Sequence, residues 1–273
     1  MRLPIRPLLL GCLTVAAACV ADPYTFRQRG LVAAPRAPIY DGQPLTTAGQ
    51  VSGYVATTGE PTAQDADRSG AAVARDQAGV VLRRRVGVDA SVGLAVDASW
   101  RAHATTLAGE STAAVGVPDD AVYGVAVDLR HSVPVSPGFR LGVLAQLGGQ
   151  SHPIRRDDDR ATRRDLSARF QGALVPSWRT GGVTLFAAFG AGTESDVPAT
   201  VTVTPDGGGD DDPGAVAEAT GAFASAGLGA TIDLGDRVHL TVQGSQAAGQ
   251  LATYGRRLDV GLSVDLGDLA PPR

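Results

Sequence analysis

Four groups of residues in this chain could do chemistry: charges set at every second position, four histidines, two cysteines near the start, and one acidic loop. The charges are Arg83, Arg85, Asp89, Asp128, Arg130, Arg140, Arg169 and Asp259, each on the polar side of an alternating segment. Both signs on one face suit ion pairing in an enclosed space, where an unpaired charge is costly. Such a lining can fill a small enclosed interior with structural ion pairs, or it can make a narrow passage selective. Structural pairing is the expected use.

The histidines are His103, His131, His152 and His239. A nucleophilic serine needs a base such as histidine within hydrogen-bond reach. The segments RHS (130–132) and QSH (150–152) put the two residue types side by side. Neighbours in a strand point to opposite faces, however, so adjacency in sequence separates them. No triad spacing follows, and the chain is not read as an enzyme. His131 and His239 are expected as ordinary polar residues at a rim.

The segment PDGGGDDDPG (205–214) gathers Asp206, Asp210, Asp211 and Asp212 around glycines. Calcium favours several carboxylate oxygens on a bent chain. The spacing matches no EF-hand or nonapeptide repeat, so a solvated acidic loop is the reading and no metal or other cofactor is expected. RRDDDRATRRD is a mixed charge run, read as a solvated loop. No Gly-rich phosphate loop, CxxC or HExxH is present. The net charge of −4 gives no electrostatic case for nucleic acid, and every basic side chain is arginine.

The elements that must carry these groups announce themselves by period. From Val86 to Ala102 nearly every even position is apolar, against Asp89, Ser91, Asp97, Ser99 and Arg101. The same alternation returns in YGVAVDLR, FRLGVLAQL, LSARFQGAL, VTLFAAFGA, GAFASAGLGATI, VHLTVQ and LDVGLSVDL. A period of two argues half-exposed strands with one apolar and one polar face. The long opening run predicts two strands divided by a tight turn near Val96–Asp97. Short turns are also predicted at VSPG (135–138), RTGG (179–182) and DLGD (233–236), and long polar loops between them. With a first strand at about 50 to 58 and a loop at 59 to 78, the count reaches ten. An even count puts both ends of the wall on the side of the short turns.

The opening residues MRLPIRPLLLGCLTVAAACVADP combine Arg2 and Arg6 with a short apolar run and small residues. That is an export signal, too short to span a membrane as a helix. VAAAC (15–19) resembles the lipobox of bacterial lipoproteins, which implies residues 1–18 as signal peptide and lipidation at Cys19. Ordinary cleavage near Ala18 or Ala21 is the alternative. Residues 19–49 are expected as a lipid-anchored irregular linker or plug, 50–266 as the β domain and 267–273 as a tail.

Taken together, the strand and loop pattern resembles the outer-membrane β-barrels of Gram-negative bacteria: short periplasmic turns, long outer loops and apolar-out strands of about ten residues. The resemblance implies an all-β, antiparallel up-and-down barrel of about ten strands, a periplasmic N-terminus, and outer-membrane lipid as partner. A soluble β-barrel or β-sandwich would alternate too and stays open as the alternative, as does a lipid-anchored domain binding a ligand or partner through its loops. Protein partners are unknown. The belt candidates are Trp100, Tyr123, Phe139, Trp178, Phe189 and Tyr254, and Arg84 is expected at the outer rim, snorkelling to headgroups. Lumenal glycines such as Gly93, Gly124, Gly142 and Gly229 fill little volume. They predict a void that either water or the segment from Asp22 to Gly49 occupies.

Overall fold

The computed structural model describes residues 24–26, 29–33, 40–59, 62–63, 72–104, 121–155, 162–196, 201–203, 219–250 and 252–267. Ten long strands form the wall: β1 (Gly49–Thr58), β2 (Ala72–Arg85), β3 (Ala90–Ala104), β4 (Val122–Ser136), β5 (Phe139–Arg155), β6 (Thr162–Thr180), β7 (Val183–Asp196), β8 (Ala219–Asp233), β9 (Val238–Gly249) and β10 (Arg257–Leu266). Each pairs antiparallel with its neighbour in sequence, and β10 closes onto β1 through the register Arg257↔Thr58 to Leu266↔Gly49. The fold is therefore a closed, all-β, ten-stranded up-and-down barrel, which sets the sandwich aside. Closure leaves the wall no free edge over its paired length. There is no helix among the described residues.

Three of the expected turns stand where the sequence placed them, and glycine geometry explains two of them. Gly138 (φ 77°) and Gly181 (φ 57°) adopt the left-handed backbone that a tight reversal requires.

The fourth turn is a correction. Val96 and Asp97 lie within β3, paired with Val80 and Gly79 of β2. The chain reverses instead at residues 86–89, where the Val86 and Gly87 N–H groups both donate to the Ala90 carbonyl at 3.0 and 3.2 Å. Val86 and Val88 continue the even-numbered apolar run through that reversal, so the pattern carries no mark of it.

Two expectations about extent also change. β2 begins at Ala72 rather than near residue 79, and β5 and β6 run on to Arg155 and from Thr162. Strand thus takes in Arg155 and residues 162–165 of the run RRDDDRATRRD, which was expected as loop. Backbone pairing carries these strands past the point where apolar alternation stops.

On the outer face every wall strand presents large apolar side chains to its surroundings. Examples are Val55, Leu82, Leu94, Val127, Leu147, Phe170, Phe189, Leu228, Val242 and Leu262, taken in strand order, all exposed. The buried side chains point the other way and are mostly polar. Asp128, Ser132, Gln171, Gln243 and Asp259 are each no more than 2% exposed. The barrel is therefore inverted relative to a soluble protein, with an apolar outside and a polar inside.

Candidate functional site

The lumen is where the chemistry-bearing residues meet, because strand alternation sends every second side chain there. Asp128 is fully buried there. The Arg130 Nε donates to Oδ1 at 2.6 Å and its Nη2 to Oδ2 at 3.2 Å. Gln146 adds a bond of 2.7 Å from Nε2, and the Arg83 Nε stands 3.6 Å away. Arg83 also donates to Gln50 and Ser52 on β1. Arg257 and Asp259 form a bidentate pair on β10, and Arg257 reaches Gln77 across the wall at 2.6 Å. Arg169 on β6 meets Asp97 on β3 at 3.2 Å, a chord across two intervening strands. Arg140 pairs with Asp89 and also donates to the Ser132 hydroxyl at 2.7 Å.

Arg83, Asp89, Asp128, Arg130, Arg140, Arg169 and Asp259 thus all stand on the inner face or at its mouth. Arg85 does not share their enclosure. It is exposed at the last position of β2, where its Nη1 donates to the Thr46 carbonyl at 3.1 Å. Arg84 is exposed too, but at the short-turn end beside Gly49, not at the outer rim. The misplaced turn had turned that stretch of wall upside down. Among the belt candidates Tyr254 is corrected: it is 2% exposed, too buried for a belt residue. Trp178 and Tyr123 are half-exposed on the outer face, near opposite ends of the wall. Cys19, Asp206, Asp210, Asp211 and Asp212 lie outside the described residues.

Several partners went unseen in the sequence. Asp97 was hidden by the supposed turn. Arg257 carried a readable signal, since Arg257-Leu-Asp259 is Asp128-Leu-Arg130 in reverse order and puts both charges on one face. The short-turn mouth holds another network, in which His239 bridges two acids. Its Nδ1 lies 2.8 Å from Asp233 and its Nε2 3.3 Å from Asp265. Arg179 donates to Asp233 at 2.7 Å. His131, by contrast, is exposed on the outer face while Ser132 is fully buried inside, so that neighbouring pair cannot act together.

Residues 40–48 enter this mouth. The Tyr40 ring lies under the Arg130 guanidinium, 4.4 Å from centroid to Cζ, and packs with Leu144, Ala173, Val175 and Phe186. Ser132 donates to the Gly42 carbonyl at 2.6 Å, and Gln43 donates to Ser177 at 2.9 Å. Thr46 donates to Asp265 at 3.3 Å. Glycines of the wall make the room. A Cβ on Gly142 would come 2.5 Å from the Gly42 Cα, and one on Gly124 would come 2.8 Å from the Asp97 carboxylate. The expected void at these glycines is thus taken up by neighbouring side chains and by the entering segment.

No protein-family model matches this sequence, and no curated protein matches it. Solved structures do. The chain is similar to the beta domain of a Bordetella autotransporter at 13% identity, covering 80% of this chain and 100% of that one, with a TM-score of 0.45. It is similar to an outer membrane channel from Pseudomonas putida at 10% identity, over 84% and 99% of the two chains, TM-score 0.45. A third is the translocator domain of the autotransporter NalP from Neisseria meningitidis, at 14% identity over 81% and 89%, TM-score 0.41.

Proposed function

We propose that this protein is an outer-membrane β-barrel with a structural role or a narrow passive pore held shut, and that it is not an enzyme. The observation that carries the reading is the ring of exposed apolar side chains on all ten strands. In water each exposed Val, Leu or Phe forgoes roughly 1.5–3 kcal/mol of burial. A wall of them around a polar interior is stable only against lipid. Trp178 and Tyr123, near opposite ends of the outer face, fit interfacial anchoring. The export signal at residues 1–18 fits the same destination, with the long loops outside and the short turns in the periplasm. The ion-paired lumen supports closure more than transport, since Arg130, Arg140, Arg169 and Arg257 are already paired with Asp128, Asp89, Asp97 and Asp259.

Fractionation tests this. A Cys19→Ser variant, which cannot be lipidated at that position, should stay in the membrane pellet after alkaline carbonate and enter solution only with detergent. Release by carbonate would instead mark a soluble domain that needs an anchor, and would end the barrel-in-membrane reading.

A further inference from the structure

The chain before the wall changes ends of the barrel. Its short strand Arg29–Ala33 lies at the long-loop end, where Leu31–Ala33 pair in parallel with Ala72–Ala74 of β2. Arg29 and Gly30 pair with Arg155 and Ile154 of β5. Both partners are spare edges. Among the described residues β1 pairs with β2 from Asp76 onward, and β4 pairs with β5 up to Ser151. The short strand joins these two edges across the mouth. Further back, Tyr24–Phe26 pair with Val201–Val203, in the long connection between β7 and β8.

Direction is the telling feature. β2 runs from the long-loop end toward the short turns, and the short strand is parallel to it, so the chain at Ala33 is heading into the barrel. Seven residues later Tyr40 is buried in the lumen beneath Arg130, and Thr46 is bonded to Asp265 at the short-turn mouth. Seven steps reach at most about 25 Å, close to the height of an apolar wall of this kind. That suits a direct traverse and leaves no length for a detour around the outside.

We infer that the protein is threaded through its own barrel, so that the residues before Tyr24 are displayed on the long-loop face. The parity of ten strands decides where Gly49 stands, at the short turns. It does not decide where the chain before it goes. Given the outer-membrane orientation proposed above, on which this inference rests only for which face is outside, the displayed segment stands at the cell surface. Cys19 belongs to that segment, so a lipid on it would enter the outer leaflet rather than the periplasmic one.

An epitope inserted between Asp22 and Pro23 of the full chain reads the side directly. The same epitope at Gly208 marks the long-loop face, and one between Pro137 and Gly138 marks the short-turn face. Antibody is applied to intact and to permeabilised cells. The Asp22 epitope should stain intact cells as the Gly208 epitope does, with the Pro137 epitope stained only after permeabilisation. Staining of the Asp22 epitope with the Pro137 side overturns threading, whichever way the barrel points. Staining of Pro137 but not Gly208 on intact cells inverts the membrane orientation. Threading then still stands or falls on which marker the Asp22 epitope follows.

Discussion

Deleting residues 23 to 45 is expected to raise single-channel conductance in a planar lipid bilayer several-fold over that of the intact chain. A ten-stranded barrel leaves more interior than the eight strands whose own side chains just fill it. Here the extra room at the short-turn mouth is taken by Tyr40, Gly42 and Gln43, packed against Gly142, Val175 and Ser177. At the other mouth the short strand Arg29–Ala33 lies across the opening. The deletion clears both. The wall keeps its ten strands and its ion pairs, so the shortened protein should still shift in mobility on heating, as folded barrels do. Equal, low conductance from the two proteins would show that the wall side chains alone shut the lumen, and would reject the plug.

A second large effect is expected at Asp128. Replacing it with alanine leaves Arg83 and Arg130 facing each other in a space where the acid was fully buried. Breaking a buried pair by removing one partner costs about 3–5 kcal/mol, because the remaining charge cannot regain its hydration. Asp128→Ala should therefore lower the midpoint of urea unfolding in lipid vesicles by that equivalent. Asp236→Ala, at an exposed turn, should stay within about 0.5 kcal/mol of the parent. Adding Arg83→Ala to Asp128→Ala should recover part of the loss, since it removes one of the two cations that face the lost acid. A change at Asp128 no larger than at Asp236 would mean that the lumen there is wet enough to solvate its own charges.

How much of this could be read from the chain differs between wall and lumen. A wall strand repeats one instruction at every second residue, so the outward faces of β4, β5, β6, β7 and β10 were legible from Val, Leu and Phe alone. Turns were legible where glycine had to take a left-handed backbone, as at Gly138 and Gly181. At residues 86–89 the apolar phase runs unbroken through the reversal, and a period-two argument has nothing to detect. That single shift hid Asp97, misplaced Arg84 and put Arg85 inside.

The entering segment was harder for a different reason. Residues 40–48 show no period, and their partners are far away in sequence: Ser132 for Gly42, Ser177 for Gln43, Asp265 for Thr46. Such contacts depend on the barrel having closed first. The charges were half legible. Asp128-Leu-Arg130 declares a same-face pair by spacing, whereas Arg169 with Asp97 requires the curvature that brings β6 near β3.

The central claim is that the outer wall meets lipid, and Trp178 can report it. The chain has two tryptophans, so Trp100→Phe leaves Trp178 as the single emitter, half-exposed on the outer face near the short-turn end. Reconstituted into vesicles, this protein should be strongly quenched by lipids brominated close to the headgroup. Lipids brominated near the chain end should quench it less, and aqueous acrylamide should have little effect. Quenching by acrylamide with no response to either brominated lipid would place the apolar face in water and contradict the account.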